Sequence, residues 1–173
     1  DRASVDLNSY YLQGGYFAEN TSVKLIAFAG KEKTYHAWGY ATKEQMEKFG
    51  RRYNPCGEMY TDANGKKYYY DDQTDNYLQK NYQLLFNHTF STAWNLNVAL
   101  HYTKGDGYYE EYKDGRYLIE YGLKPFTIDG TEVSKSDLVR QKKMDNKFGG
   151  GVFSLNYTAN RLSASLGGGL DQY

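Results

Sequence analysis

The sequence predicts an all-β chain: an antiparallel up-and-down segment of a transmembrane β-barrel, with about six strands. Three observations carry this. Adjoining segments alternate strictly between apolar and polar side chains, aromatic residues close both ends of the apolar stripes, and the connections are alternately very short and very long.

The first hairpin pairs Tyr10, Leu12, Gly14 and Tyr16 with Ala29, Ala27, Leu25 and Val23. Its turn is Glu19-Asn20, where Asn tolerates positive φ. A long connection follows, roughly residues 37–76. Within it Thr42 and Gln45 make a capping box and Gly50 stops a short helix. Asp62-Ala63-Asn64-Gly65 reads as a turn between two Tyr-rich segments.

The second hairpin is the clearest. Tyr82, Leu84, Phe86, His88 and Phe90 share one face, and Asn81, Gln83, Leu85, Asn87 and Thr89 the other. In the next segment Trp94, Leu96, Val98, Leu100 and Tyr102 alternate with Asn95, Asn97, Ala99 and His101. Folding about Thr92 sets Phe90 against Trp94, Phe86 against Val98 and Tyr82 against Tyr102. The nine residues Trp94–Tyr102 suffice to cross a bilayer, which takes about 9–11 tilted strand residues.

A second long connection covers roughly residues 105–143, with turns at Lys113-Asp114-Gly115 and Asp129-Gly130. The last hairpin sets Gly149, Gly151, Phe153, Leu155 and Tyr157 against Leu162, Ala164, Leu166, Gly168 and Leu170, turning at Ala159-Asn160. Short turns at one end and long loops at the other are the outer-membrane arrangement, with the long loops outside the cell. The expected lipid-facing set is Tyr82, Leu84, Phe86, Trp94, Leu96, Val98, Leu100, Tyr102, Leu162 and Leu166.

Composition narrows the function classes. The 173 residues carry 21 Lys+Arg and 21 Asp+Glu, which removes the simplest case for nucleic-acid binding. Mean hydropathy is −0.82, and no stretch approaches the roughly 18 apolar residues of a transmembrane helix. Strands of a barrel escape that criterion because they alternate. Twenty Tyr and only 2 Pro are not the composition of a disordered chain. One cysteine, Cys56, excludes an internal disulfide and a multi-cysteine zinc site. It reads either as a free thiol or as the partner of a cysteine elsewhere in a longer chain. Six strands form an open sheet whereas membrane barrels start at eight, so residues 1–173 read as one part of a larger barrel.

Several stretches resemble the barrel of TonB-dependent outer-membrane receptors of Bacteroides-type bacteria. They are Tyr10-Tyr11-Leu12-Gln13-Gly14-Gly15-Tyr16, Ser22-Val23-Lys24-Leu25-Ile26-Ala27-Phe28, Gly50-Arg51-Arg52-Tyr53-Asn54-Pro55-Cys56-Gly57, Leu100-His101-Tyr102-Thr103-Lys104-Gly105 with Gly107-Tyr108-Tyr109-Glu110, and Phe148-Gly149-Gly150-Gly151-Val152-Phe153-Ser154-Leu155-Asn156-Tyr157. The resemblance covers nearly the whole chain, and no single motif in it is diagnostic. It implies a longer protein with an N-terminal plug, a segment that contacts TonB and a barrel of about 22 strands. It also implies location in the outer membrane of a Gram-negative bacterium and import of a siderophore, glycan, peptide or cofactor. The implied partners are outer-membrane lipid, the plug and remaining strands, TonB and a surface lipoprotein.

No enzyme motif is present: there is no nucleophile elbow, phosphate loop or paired-His metal motif. The expectation is a protein that is not an enzyme and has no cofactor. His36, His88 and His101 are scattered, with His36 near a strand end, His88 on the apolar face and His101 on the polar one. Asp71-Asp72 with Asp75, and Glu110-Glu111, offer oxygens to a loop Ca²⁺ and equally serve loop solubility. The three N-glycosylation sequons, at Asn20, Asn87 and Asn156, read as chance matches. Tyr68, Tyr69, Tyr70, Tyr108, Tyr109 and Tyr112 in the two long connections are the candidate substrate contacts. Tyr there supplies stacking area and a hydroxyl, suiting glycans, peptides or aromatic chelates; alternatively these rings pack the loops together. The competing function is a surface adhesin or carbohydrate-binding β-sandwich, whose apolar stripes would face a second sheet.

Overall fold

The computed structural model describes residues 2–173. Its elements are β1 (Val5–Phe17), β2 (Thr21–Tyr35), helix α1 (Lys43–Phe49), β3 (Glu58–Thr61), β4 (Lys67–Tyr69), β5 (Thr74–Thr89), β6 (Trp94–Tyr117), β7 (Phe126–Ile128), β8 (Thr131–Val133), β9 (Lys135–Ala159) and β10 (Leu162–Gln172). A 3₁₀ turn at Leu118–Tyr121 follows β6. The fold is all-β. Six antiparallel strands form one open sheet in the order β1-β2-β5-β6-β9-β10, and β3-β4 and β7-β8 are separate hairpins. The described chain divides into two compact units: a sheet unit of Leu7–Lys31, Tyr77–Gly107 and Met144–Tyr173, and a loop unit of residues 2–6, Glu32–Asn76 and Tyr108–Lys143.

In the sheet unit a few bonds fix every register. The Ala18 N–H donates to Thr21 O at 2.8 Å, Thr89 N–H to Asn20 O at 2.8 Å, Phe90 N–H to Trp94 O at 3.0 Å and Thr158 N–H to Ala93 O at 2.8 Å. Leu166 stands opposite Leu155, and Gly168 opposite Phe153. Carried along the strands, these pairings align Tyr16, Val23, Phe86, Val98, Phe153 and Gly168 in one row across six strands. Gly14, Leu25, Leu84, Leu100, Gly151 and Leu170 make the next. All ten residues expected to face lipid share this apolar face, because side chains repeat with period two.

Aromatic rings close the apolar face at both ends. Tyr82 stacks on Tyr102, with ring centroids 6.5 Å apart, and Trp94 lies 4.8 Å from Tyr157 at the turn end. No described element covers the face: Leu12 is 66%, Leu25 59% and Leu166 65% exposed. The opposite face is a hydrogen-bonded polar ladder. Asn87 Nδ2 donates to Asn97 Oδ1 at 2.5 Å, and Asn97 Nδ2 donates to Asn95 Oδ1 at 2.8 Å and Ser154 Oγ at 3.3 Å. Ser165 Oγ donates to Asn156 Oδ1 at 2.7 Å. His101 Nε2 meets Asp171 Oδ1 at 2.9 Å on this same face.

The first long connection follows its sequence signals. Thr42 Oγ1 accepts from Gln45 N–H at 3.2 Å and Gln45 Oε1 accepts from Thr42 N–H at 2.9 Å, so the capping box starts α1. Gly50 ends it at φ 87°. The β3-β4 turn is tied by Asp62 Oδ1, which accepts from Asn64 and Lys66 N–H, both at 2.9 Å.

The second connection is much shorter than expected. Strand β6 continues to Tyr117 and β9 begins at Lys135, so the irregular stretch is residues 118–134, not 105–143. The added strand has charged residues on both faces and lacks an apolar period. Polar cross-strand pairs hold it instead: Arg140 Nε donates to Glu111 Oε1 at 2.9 Å and Gln141 Nε2 to Glu110 Oε2 at 2.5 Å. Lys113-Asp114-Gly115 is accordingly part of β6 rather than a turn; Gly115 absorbs a local irregularity at φ 52°. Asp129 and Gly130 do turn, with φ of 48° and 77°, the two positive values of a type I′ hairpin. The last turn is centred on Asn160-Arg161, one residue beyond the expected Ala159-Asn160, since Leu162 pairs with Ala159.

Candidate functional site

The loop unit holds most of the buried side chains. Tyr35, at the end of β2, is the hub. Its hydroxyl donates to Tyr70 O at 2.9 Å and reaches Cys56 O at 3.3 Å. Burial pushes the Tyr35 hydroxyl up from its ordinary value, against the opposing pull of Arg2. Arg2 lies with its guanidinium 3.3 Å from the Tyr69 ring centroid and donates to Cys56 O at 2.7 Å and to Asn54 O. Gly57 takes φ 75° here, and a Cβ on it would come within 2.7 Å of the Tyr35 hydroxyl. Cys56 is buried and unpaired, its Sγ accepting from Gly39 N–H at 3.2 Å.

Against this core rests an aromatic group. The His36 ring lies 3.9 Å from Trp38 and 6.0 Å from Tyr109, and Tyr109 stands perpendicular to Trp38 at 5.7 Å. Lys142 Nζ sits 5.5 Å over the Tyr109 ring. His36 is only 3% exposed, and its ring meets the backbone of Thr74; Asp75 Oδ1 is buried without a hydrogen-bond partner. Burial pushes the His36 imidazole below its usual range, against nearby Asp75 and Glu111, which favour its charged form. Glu111 is raised by burial, but its contacts with Lys113 and Arg140 outweigh that and hold it below the ordinary carboxylate value. Trp38, in contrast, is 53% exposed. The arrangement is an aromatic platform in which a half-exposed Trp38 lies against buried His36 and a perpendicular Tyr109.

The six candidate tyrosines do not converge. Tyr68 stacks on Tyr60 at 4.6 Å, and Tyr69 carries Arg2. Tyr70 donates to Glu110, and that bond, with burial, pushes its hydroxyl up to about 12. Tyr112 donates to Asp137 Oδ2 at 2.6 Å, which likewise lifts it to about 12. Tyr108 lies near Lys33 and Tyr70. Tyr109 alone joins the platform. Within the acidic clusters Asp72 is engaged by Lys33 at 3.0 Å, Glu110 by Tyr70 and Gln141, and Glu111 by Lys113 and Arg140, while Asp75 Oδ1 has no hydrogen-bond partner. No metal-ligating group of three forms among the described residues. Trp38 went unmarked in the sequence; its one signal was an isolated Trp three residues past the end of β2.

A pH dependence follows from His36. Unfolded His takes a proton near pH 6.5. The folded ring resists it, so acidification below about 6.5 favours the unfolded state until folded His36 also protonates. Protease resistance of the loop unit in the full-length protein should therefore fall over that window. His36→Phe, which keeps a ring against Trp38, should flatten the profile there. An unchanged profile would remove His36 from the account.

No protein-family model matches this chain, and no curated protein matches it at a significant level.

Proposed function

We propose that this chain is part of the wall of an outer-membrane β-barrel in a Gram-negative bacterium, and that the barrel is a TonB-dependent receptor that binds and imports a nutrient. The observation that carries the membrane reading is the asymmetry of the sheet. Between the Tyr82-Tyr102 row and the Trp94-Tyr157 pair the apolar face bears no Asp, Glu, Lys or Arg, whereas Lys24, His101 and Asp171 lie on the polar face. From Trp94 to Tyr102 the stripe measures about 27 Å along the strand, at about 3.4 Å per residue. Polar residues in and apolar residues out, with aromatic girdles, is what a barrel wall needs. A sandwich adhesin would need a second sheet over Leu12, Leu25 and Leu166, which are bare.

The receptor reading adds the family resemblance. Substrate would meet the Trp38-Tyr109 platform from outside, and the chain would do no bond chemistry. The platform offers the half-exposed Trp38 ring as a stacking surface, suiting a sugar ring, a peptide side chain or an aromatic chelate.

Topology tests this. Trypsin added to intact cells expressing the full-length protein should cut at exposed connection sites such as Lys48, Arg51 or Lys124, and should spare Arg161 in the β9-β10 turn. Cleavage at Arg161 alone would invert the orientation, and with it the outside position of the platform.

A further inference from the structure

We propose that Lys80, Lys104 and Lys147 form a binding row for the phosphate-bearing headgroup of an anionic lipid in the outer leaflet; the proposal rests on the membrane-wall reading above. The three lysines come from adjacent strands β5, β6 and β9. Thr103 Oγ1 donates to Asn81 Oδ1 at 2.9 Å, and this opposed pair sets Lys104 opposite Lys80. A Cβ built on Gly149 would lie 3.2 Å from the Tyr102 ring and 3.4 Å from His101 O, so Gly149 faces Tyr102 and Lys147 faces Lys104. All three therefore occupy one row on the apolar face, immediately beyond the Tyr82-Tyr102 row that closes the band.

Side chains directly opposite one another in an antiparallel pair have Cβ atoms about 5 Å apart, and like charges at that spacing destabilise a sheet. Three in a row repeat the conflict twice. None of the three forms an ion pair among the described residues. Asp106 and Asp145 face one another in the next row out, but neither closes onto the lysines, and Asp106 Oδ2 is buried without a partner. Within the described sheet no ion pair offsets such a row. A wall whose lysines stand at the height of lipid headgroups gains an anion for each. Lysine stems lie along apolar surface while the ammonium reaches the interface, and basic clusters at that height recruit anionic headgroups.

The neighbouring surface fits the same occupant. Where Gly149 leaves the face bare, a cavity of about 400 Å³ is lined by Tyr102, Lys147, Phe148, Gly149, Gln172 and Tyr173. It joins a cationic group to an aromatic ring at the edge of the apolar band. A phosphorylated sugar headgroup presents an anion to the first and a ring face to the second. The row lies just past the apolar band on the side away from the short turns, with β6 and β9 continuing beyond it; that side is the outer leaflet in the proposed topology.

The test uses the full-length protein reconstituted in two vesicle types: phosphatidylcholine alone, and phosphatidylcholine doped with bis-phosphorylated lipid A. The variant is Lys80→Gln/Lys104→Gln/Lys147→Gln. The wild type should bind lipid A on the order of 100-fold more tightly than the triple variant, taking a several-fold contribution from each lysine. In phosphatidylcholine alone the order should reverse, with the variant melting at or above the wild type because the repulsion is gone. Equal losses for the variant in both lipids would assign the lysines a structural role and overturn the proposal. Inorganic phosphate protecting the wild type as well as lipid A does would overturn the lipid assignment. Insertion into vesicles without preference for lipid A overturns this proposal alone; failure to insert into either overturns the membrane reading with it.

Discussion

Arginine at Val98 should destabilise the full-length barrel by about 2–4 kcal/mol, and arginine at Asn97 by far less. The two positions are neighbours on β6 and differ in the side of the sheet they present. Val98 lies in the row of Tyr16, Val23, Phe86 and Phe153, midway between the aromatic ends of the band. In a bilayer a guanidinium there meets hydrocarbon. Asn97 points to the polar face, where its amide already bonds Asn87, Asn95 and Ser154. An arginine there loses neutral hydrogen bonds worth about 0.5–1.5 kcal/mol each, but its guanidinium keeps access to water and can donate to the same Asn87, Asn95 and Ser154 oxygens, which offsets most of that loss. Unfolding by guanidinium from lipid vesicles measures both. Equal costs at Val98 and Asn97 would mean that the two faces see the same solvent, and the membrane reading would fall.

That contrast depends on a register that was legible in the sequence. Trp94–Tyr102 and Tyr82–Phe90 each alternate without a break, so a one-residue slip would send every apolar side chain to the polar face. The same logic fixed the other two hairpins, whose glycines weaken the stripe without breaking its period. Capping at Thr42-Gln45 and the turns at Asp62-Gly65 and Asp129-Gly130 were legible because each rests on local chemistry. The outer stretches of β6 and β9 were not. Their alternation is polar on both faces, and pairing there depends on contacts such as Glu111 with Arg140, between residues far apart in sequence. Local chemistry at Lys113-Asp114-Gly115 favours a turn, and the cross-strand pairs override it.

The candidate site was legible only as composition. The Tyr clusters stood out, but whether a ring binds ligand or packs internally depends on its neighbour. Tyr70 is engaged by Glu110, and Tyr69 by Arg2 from the opposite end of the sequence. His36 read as a scattered polar residue. Its burial, and its contacts with Trp38 and Tyr109, arise from the meeting of the first connection with strand β6, which no local pattern links. Cys56 was legible only as a loop cysteine; its burial and the hydrogen bond its Sγ accepts from Gly39 N–H come from tertiary packing.

The 173-residue chain on its own should not exist as a soluble monomer. Strands β1 and β10 end the sheet order, and every residue of both is exposed. Each presents an unpaired row of backbone N–H and C=O groups, which hydrocarbon does not tolerate and which in water recruits other strands. The apolar face adds a second liability. Leu12, Leu25, Leu166 and Leu170 are 59–80% exposed, and a monomer has nothing to lay over them. Each such side chain left in water forgoes about 1.5–3 kcal/mol of burial, so several together are comparable to the whole stability of a small domain. Sedimentation of the isolated chain in detergent-free buffer should therefore show aggregates or higher oligomers, and added detergent should disperse them. Pairing through the edges and burial of the face are separable. Lysines introduced at Tyr11 and Gln13 on β1 should reduce edge association but leave detergent dependence intact, because the apolar face is unchanged. A cooperatively melting soluble monomer would show that six strands can cover their own stripe. The sandwich would then be the better account, with Trp94 to Tyr102 packed against protein instead of lipid.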